Sequence, residues 1–271
     1  MEDLTVVVTG ASSGVGLAAA QEFARGGARV VVVGRDPARL ASAVSAVQEA
    51  GGSAPDQFRA DFARLDDVRA LAAHLLDRYE KIDVLANNAG GLVPKFVSTV
   101  DGYESTIQGN HLAPFLLTNL LRERLRGGRV VNTASDAHRS GVPDPDNLTG
   151  EGRRYTAFTT YGASKAANIL FATEAGRRWP DILSTSYHPG VVRSRFGSDS
   201  FAVSMFYKVA PFLVTPAGGA DTMVWLATTD ATNVTQGGYY IKRKLHQQSA
   251  SASDPELAAR LWEASAKAVG L

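Results

Sequence analysis

Cysteine is absent from the 271 residues of this chain, which excludes disulfides, thiolate metal ligands and a cysteine nucleophile and suits a reducing, cytoplasmic setting. Charge of one sign is equally scarce: 28 Lys and Arg against 27 Asp and Glu leave a formal net charge of +1, too little for the broad basic field that a nucleic-acid partner requires. The five histidines are scattered, with no pair at ligand spacing beside carboxylates, so no metal site is expected. Long apolar runs are missing too. The most apolar late stretch, Phe201 to Val214, is interrupted by Ser204, Lys208 and Pro211 and is too short to cross a bilayer. The acidic start Met1-Glu2-Asp3 does not read as a secretory signal, and internal repeats, low-complexity tracts and long linkers are lacking. With 45% hydrophobic residues the chain can bury a large core, and one α/β domain spanning 1–271 is expected.

What is present begins at Thr9-Gly10-Ala11-Ser12-Ser13-Gly14-Val15-Gly16, between the apolar run Leu4 to Val8 and an alanine-rich amphipathic segment. The order reads as strand, turn, helix. Three glycines at this spacing permit a tight turn, bring bare N–H groups close to a phosphate and aim a helix N-terminus at its charge. Arg29 to Val33 reads as a buried parallel strand, after which Asp36-Pro37 supplies an N-cap and a first-turn proline. Phe58 to Ala60 reads as a short third strand, followed by Leu65, Val68, Leu71, Leu75 and Leu76 at helical spacing. Ile82 to Ala86 forms a fourth strand ending in Asn87-Asn88-Ala89-Gly90. A long helical stretch, Tyr103 to Leu125 with a kink at Pro114, leads to the strand Arg129 to Ala134. Gly141 to Arg154 reads as a surface excursion, the next helix carries Tyr161 and Lys165, and the strand Ile182 to Tyr187 ends at His188-Pro189-Gly190. Alternating strands and helices predict an α/β fold, a parallel sheet covered on both faces, with ligands beyond the carboxyl ends of its strands. One crevice can then collect Thr9 to Gly16, Arg35, Asp61, Asn88 to Gly90, Ser135 and Pro189-Gly190, because all of them follow predicted strands.

Tyr161-Gly162-Ala163-Ser164-Lys165 carries the chemistry. A spacing of four puts Tyr161 and Lys165 on one helix face, one turn apart. A free phenol titrates near ~10 and serves as an acid or base at neutral pH only beside a cation that favours the phenolate, a part Lys165 can play.

Taken together, T-G-A-S-S-G-V-G, N-N-A-G, Asn110, Ser135, Y-G-A-S-K and Pro189-Gly190, in this order over nearly the whole chain, resemble the short-chain dehydrogenase/reductase family. S-D-A-H-R-S-G at Ser135 to Gly141, the insert before Tyr161 and Y-G-A-S-K-A-A-N-I-L-F resemble its retinol-dehydrogenase-like and protochlorophyllide-reductase-like branch. The resemblance implies a Rossmann-type doubly wound parallel sheet and an NAD(P)-dependent oxidoreductase. It implies a ketoreductase or alcohol dehydrogenase that passes hydride between nicotinamide and a small-molecule carbonyl or alcohol, bulky and hydrophobic. The implied tetrad is Asn110, Ser135, Tyr161 and Lys165. Tyr161 gives a proton to the carbonyl oxygen, Ser135 hydrogen-bonds that oxygen, Lys165 lowers the phenol pKa and holds the nicotinamide ribose, and Asn110 supports a water that resupplies the proton. The structural alternatives are that Ser135 caps the turn after its strand and that Asn110 bonds to backbone. Many relatives have two adjacent serines where this chain has Ala134 before Ser135.

The same resemblance sets the cofactor against Gly10, Ser12, Ser13, Gly14, Val15 and Gly16, then Arg35, Asp61 and Phe62, then Asn88, Ala89 and Gly90. It adds Tyr161 and Lys165, and finally Pro189, Gly190, Val192 and Ser194, the last standing where threonine is usual. Gly34-Arg35-Asp36 supplies both signs of charge at the end of the second strand. Asp36 has a ready role as N-cap and Arg35 can fork onto a phosphate, so NADP(H) is the expected cofactor and NAD(H) the alternative. Asp61 reads either as a neighbour of the adenine or as a cap ahead of Leu65. Phe201 to Val214, with Phe201, Met205, Phe206, Val209 and Phe212, falls where this family places its variable substrate lid, here around 193–215. A core or dimer helix is the other reading, which leaves a homo-oligomer open. Two other functions stand beside hydride transfer. Gly10-Ala11-Ser12-Ser13-Gly14 spells G-x-S-x-G, the hydrolase nucleophile elbow, although a hydrolase needs strands and an oxyanion loop ahead of it. A family member can also use the fold for a non-redox step, cyclisation or dehydration, or only to bind cofactor.

Overall fold

The computed structural model describes residues 1–192 and 213–271. Its strands are β1 (Thr5–Thr9), β2 (Arg29–Gly34), β3 (Asp56–Arg59), β4 (Val84–Asn87), β5 (Arg129–Thr133), β6 (Leu183–His188), β7 (Tyr239–Ile241) and β8 (Lys244–Leu245). Its helices are α1 (Gly14–Arg25), α2 (Pro37–Gly51), α3 (Leu65–Arg78), the single turn α4 (Ser105–Ile107), α5 (Ala113–Leu120), α6 (Ala157–Arg178), α7 (Pro216–Thr228) and α8 (Pro255–Val269). The strands form one sheet in the order β3-β2-β1-β4-β5-β6-β7-β8, parallel as far as β7, with β8 antiparallel at the edge. β1 pairs with β2 on one side and β4 on the other, so the winding reverses between β1 and β4, where such sheets open a crevice.

Valine repeats with a period of two build the core on both faces. Val6, Val8, Val30, Val32, Val84 and Val131 pack with Phe23 of α1, Leu40 of α2 and Met223 of α7. Val7, Val31, Val33, Leu85 and Val130 pack on the opposite face with Leu71 of α3, Phe115 of α5, Phe171 of α6 and Trp262 of α8. Burial from both sides explains why these strands read as unbroken apolar runs and not as alternating ones. Helix starts follow their caps: Asp36 accepts from Arg39 N at 2.9 Å ahead of Pro37, and Asp254 accepts from Glu256 N at 2.9 Å ahead of Pro255.

The expected helix over Tyr103 to Leu125 is broken into α4, a π turn at Gln108–Leu112, α5 and a 3-10 turn at Arg122–Leu125. The irregularity lies ahead of Pro114 and not at it. Pro114 has no N–H to return to the Asn110 carbonyl, and the chain widens in the turn that precedes it. β7, β8 and α8 carried no expectation; β7 and β8 are only 3 and 2 residues long, too short to show a period. Among the described residues no helix is long and apolar enough to cross a membrane.

Candidate active site

The glycine turn is shaped by contact and by conformation. Gly10 and Gly14 have φ of +65° and +57°, and a Cβ on Gly10 would lie 2.8 Å from Ala89 Cα. Thr9 fastens the neighbouring loop: its Oγ1 accepts from Asn88 N and Ala89 N at 2.9 and 3.0 Å, while Asn88 Nδ2 donates to Thr9 O at 3.0 Å. At α1, Ser13 occupies the N-cap without a side-chain hydrogen bond, so the first amides of that helix keep their donors for a ligand.

A cavity of about 1220 Å³ runs over these strand ends. Of the residues expected at the cofactor, Gly10, Ser12, Ser13, Gly14, Val15, Arg35, Asp61, Phe62, Asn88, Ala89, Gly90, Pro189, Gly190 and Val192 line it, together with Asn110, Ser135, Tyr161 and Lys165. Gly16 does not line it. A Cβ there would sit 2.4 Å from Gly10 O and 2.5 Å from Asn88 Nδ2, so Gly16 lets α1 close onto the turn from behind. Ser194 and the apolar stretch from Phe201 to Phe212 lie outside the described residues; the flanking residues Val192 and Val214 form a parallel bridge.

At the deep end, Lys165 is 3% exposed and donates from Nζ to Thr133 O at 2.9 Å, 5.5 Å from the centre of the Tyr161 ring. Burial lowers the Lys165 pKa to about 8, so the ammonium is still the main form at neutral pH. Asn110 is tied on three sides. Its Nδ2 donates to Gly91 O at 2.9 Å and to Ser164 Oγ at 2.8 Å, and its Oδ1 accepts from Gly91 N at 2.8 Å. Ser164 Oγ donates onward to Tyr161 O at 2.7 Å, which links Asn110 to the backbone of the tyrosine. Both structural alternatives for the polar pair are therefore realised alongside their place in the cavity, since Ser135 Oγ accepts from Ala137 N at 3.2 Å.

At the shallow end, the Asp36 carboxylate is engaged with the start of α2, and its hydrogen bond from the Arg39 backbone holds its pKa below the ordinary value. Arg35 is 66% exposed, and its contact with Asp61 is long, 3.9 Å. Asp61 does not cap α3, whose N-cap is Arg64; it accepts from Ala63 N at 3.1 Å inside the preceding turn. Several lining residues escaped the sequence reading. Arg39, in the first turn of α2, lines the same cavity as Arg35, and a second cation so soon after Arg35 could have marked it; Leu92, Val93, Phe158 and His188 carry no such signal. His188 is half-buried, its Nδ1 is enclosed without a hydrogen-bond partner among the described residues, and burial lowers its pKa.

The fold agrees with comparisons to known proteins. The family profile for short chain dehydrogenases matches residues 4–202. A Streptomyces sp. (strain C5) protein, whose name provisionally assigns it a daunorubicin C-13 ketoreductase activity (DnrU), is 56% identical over 266 residues, spanning 98% of this chain and 92% of that one. Retinol dehydrogenase 12 of Mus musculus is 36% identical over 273 residues, spanning 98% and 86%. A crystal structure from Escherichia coli CFT073 complexed with NADPH superposes with a TM-score of 0.69 at 27% identity, covering 89% of this chain and 96% of that one. The chain belongs to the short-chain dehydrogenase family, in its retinol-dehydrogenase-like branch, and is a nicotinamide-dependent oxidoreductase.

Proposed function

We propose that the chain is an NADP(H)-preferring reductase of bulky, hydrophobic ketones or aldehydes. One observation carries the reading: a single cavity holds Tyr161, Lys165 and Ser135 at its deep end and Arg35 and Arg39 at the other. A dinucleotide fits this lining. The α1 amides and the glycine turn suit a pyrophosphate, and two guanidiniums with Asp36 already engaged as a cap suit a ribose phosphate better than a bare ribose. When bound, a nicotinamide would supply the hydride for the carbonyl carbon.

The side chains supply the rest. Tyr161 holds a proton at its phenolic oxygen for the carbonyl oxygen, and Ser135 Oγ hydrogen-bonds that oxygen as charge develops. The Lys165 ammonium, over the tyrosine ring and shielded from water, favours the phenolate left behind. Pro114 cannot return a hydrogen bond to the Asn110 carbonyl, which leaves that oxygen capacity to accept from a water carrying the replacement proton. Apolar Leu92, Val93, Phe158 and Val191 around the mouth favour a large hydrophobic substrate.

The reading is tested by following nicotinamide absorbance over a carbonyl panel with NADPH and with NADH. Turnover is expected with NADPH, falling at least a hundredfold in Tyr161→Phe with NADPH affinity within about twofold, because general acid catalysis contributes about 10²–10⁴. Full activity in that variant would remove the mechanism.

A further inference from the structure

The motif S-D-A-H-R-S-G contains a histidine that the proposed reaction does not use. His138 is fully buried in the 3-10 turn Asp136–Ser140 that follows Ser135. Its Nδ1 lies 2.8 Å from the carbonyl oxygen of Ser135, and its Nε2 lies 3.1 Å from the backbone nitrogen of Ser249. Both partners have fixed polarity. A carbonyl only accepts and an amide N–H only donates, so the proton sits on Nδ1 and Nε2 presents its lone pair. The ring packs edge-on against Tyr239, 5.1 Å between centres at 68°.

The turn is gripped from two directions. Toward the C-terminus, Arg139 donates to Gln247 O at 2.9 Å, and His246 N donates to Tyr239 O at 2.8 Å, which seats residues 246–249 beside β7. Toward α6, a Cβ on Gly141 would lie 2.1 Å from Thr159 O and one on Gly162 would lie 2.5 Å from Ala137 O, so backbone meets backbone next to Tyr161. The imidazole spans from the Ser135 carbonyl to the 246–249 segment, and it holds one of the two peptide groups that flank the Ser135 side chain.

We propose that His138, held as the neutral Nδ1–H tautomer by the Ser249 amide at Nε2, is a positioning residue for Ser135, its Nδ1–H fixing the Ser135 carbonyl so that Oγ stays aimed at the reacting oxygen. This rests on the proposed function, in which Ser135 hydrogen-bonds that oxygen. A hydrogen-bond donor at a reacting centre must be held within about 0.5 Å, and a misplacement of about 1 Å costs up to roughly a hundredfold in rate.

The test compares His138→Asn, which keeps a donor at the Nδ1 position, with His138→Gln, which keeps an acceptor near Nε2, and with His138→Leu, which keeps neither. Reduction of 9,10-phenanthrenequinone and benzaldehyde by NADPH is measured at pH 7. His138→Asn is expected within about threefold of wild-type kcat, and Gln and Leu at least about tenfold lower, with the KM for NADPH within about twofold in all three. On a Ser135→Ala background, His138→Leu should cost less than about threefold, because the group it positions is already gone. A loss in Asn as deep as in Leu, or a further tenfold loss on the Ser135→Ala background, would overturn the proposal. Should the Leu variant fail to fold, the Asn and Gln pair decides. Two-bond ¹H–¹⁵N spectra of histidine-labelled protein provide an arm that needs no turnover: the Nδ1–H tautomer is expected at His138, and an Nε2–H form or an imidazolium at pH 7 would refute it. A wild-type enzyme that reduces neither carbonyl counts against those substrates, and the tautomer spectrum still decides how His138 is held.

Discussion

Replacing Lys165 with methionine should abolish turnover and make the cofactor-free protein more stable. Burial drops the lysine from its ordinary pKa of 10.5 to about 8, and desolvation is the cause. At ~1.36 kcal/mol per unit, keeping the ammonium charged inside the fold costs roughly 3 kcal/mol at pH 7. Methionine has similar length and no charge to desolvate. The carbonyl it abandons is not orphaned, since Asn168 Nδ2 also donates to Thr133 O at 3.1 Å. A gain of about 1–3 kcal/mol in unfolding free energy follows at pH 7. The pH dependence fixes the cause. Because the folded pKa lies below the unfolded one, the unfolded chain binds the proton more tightly, the cost is fully present below pH 8, and wild-type stability rises as pH climbs from 8 toward 10.5. Between pH 7 and pH 9.5 the gap between variant and wild type should narrow by about 2 kcal/mol. Urea unfolding of both proteins at the two pH values, followed by circular dichroism, measures this. A variant less stable than wild type at pH 7, or a gap that does not change with pH, would refute the desolvation argument.

Three other outcomes follow from the same structure. Arg35→Ala should raise the KM for NADPH at least about tenfold and leave that for NADH within about twofold, because in the proposed binding mode the guanidinium lining the cavity would meet a ribose phosphate that only one cofactor carries; steady-state kinetics with each cofactor checks it. Gly90→Ala should lower kcat and destabilise by about 1–3 kcal/mol, since its Cβ would lie 2.6 Å from Asn110 Oδ1 and displace the amide that holds Gly91; kinetics and urea unfolding separate the two effects. Acid should weaken the fold before the carboxylates titrate. Burial lowers His111 to about 4 and also lowers His138 and His188. The folded state thus binds fewer protons than the unfolded one, and stability falls as pH drops from about 6.5; His111 alone accounts for about 2 kcal/mol between pH 7 and pH 5, a slope that His111→Gln should remove.

Much of the site was legible in the sequence because its parts are set by short-range chemistry. Gly10 and Gly14 need positive φ, Asp36 needs to cap a helix that starts with proline, and Tyr161 and Lys165 need one helical turn between them; each leaves a local mark. Gly16 shows that such a mark can have a second cause. Its place in the glycine pattern suggested a ligand contact, and the residue is also small to admit Gly10 O and Asn88 Nδ2, two groups brought to it by the fold. The long helical stretch around Asn110 was legible but its π turn was not: periodicity registers the apolar face, and a π turn moves the phase by one residue and keeps that face buried. Phe158 and His188 adjoin motifs that were read and carry no mark of their own, and Ser249 could not be read at all. It reaches the histidine behind the cavity from 111 residues away, a pairing that exists only once β6, β7 and the residues after β8 lie side by side. Residues that contact a reacting group through local sequence are therefore visible in advance, and those that hold such a group in place from a distant segment are not. His138 belongs to both kinds. Its tie to Ser135 spans three residues, its tie to Ser249 spans 111, and each places the proton on Nδ1.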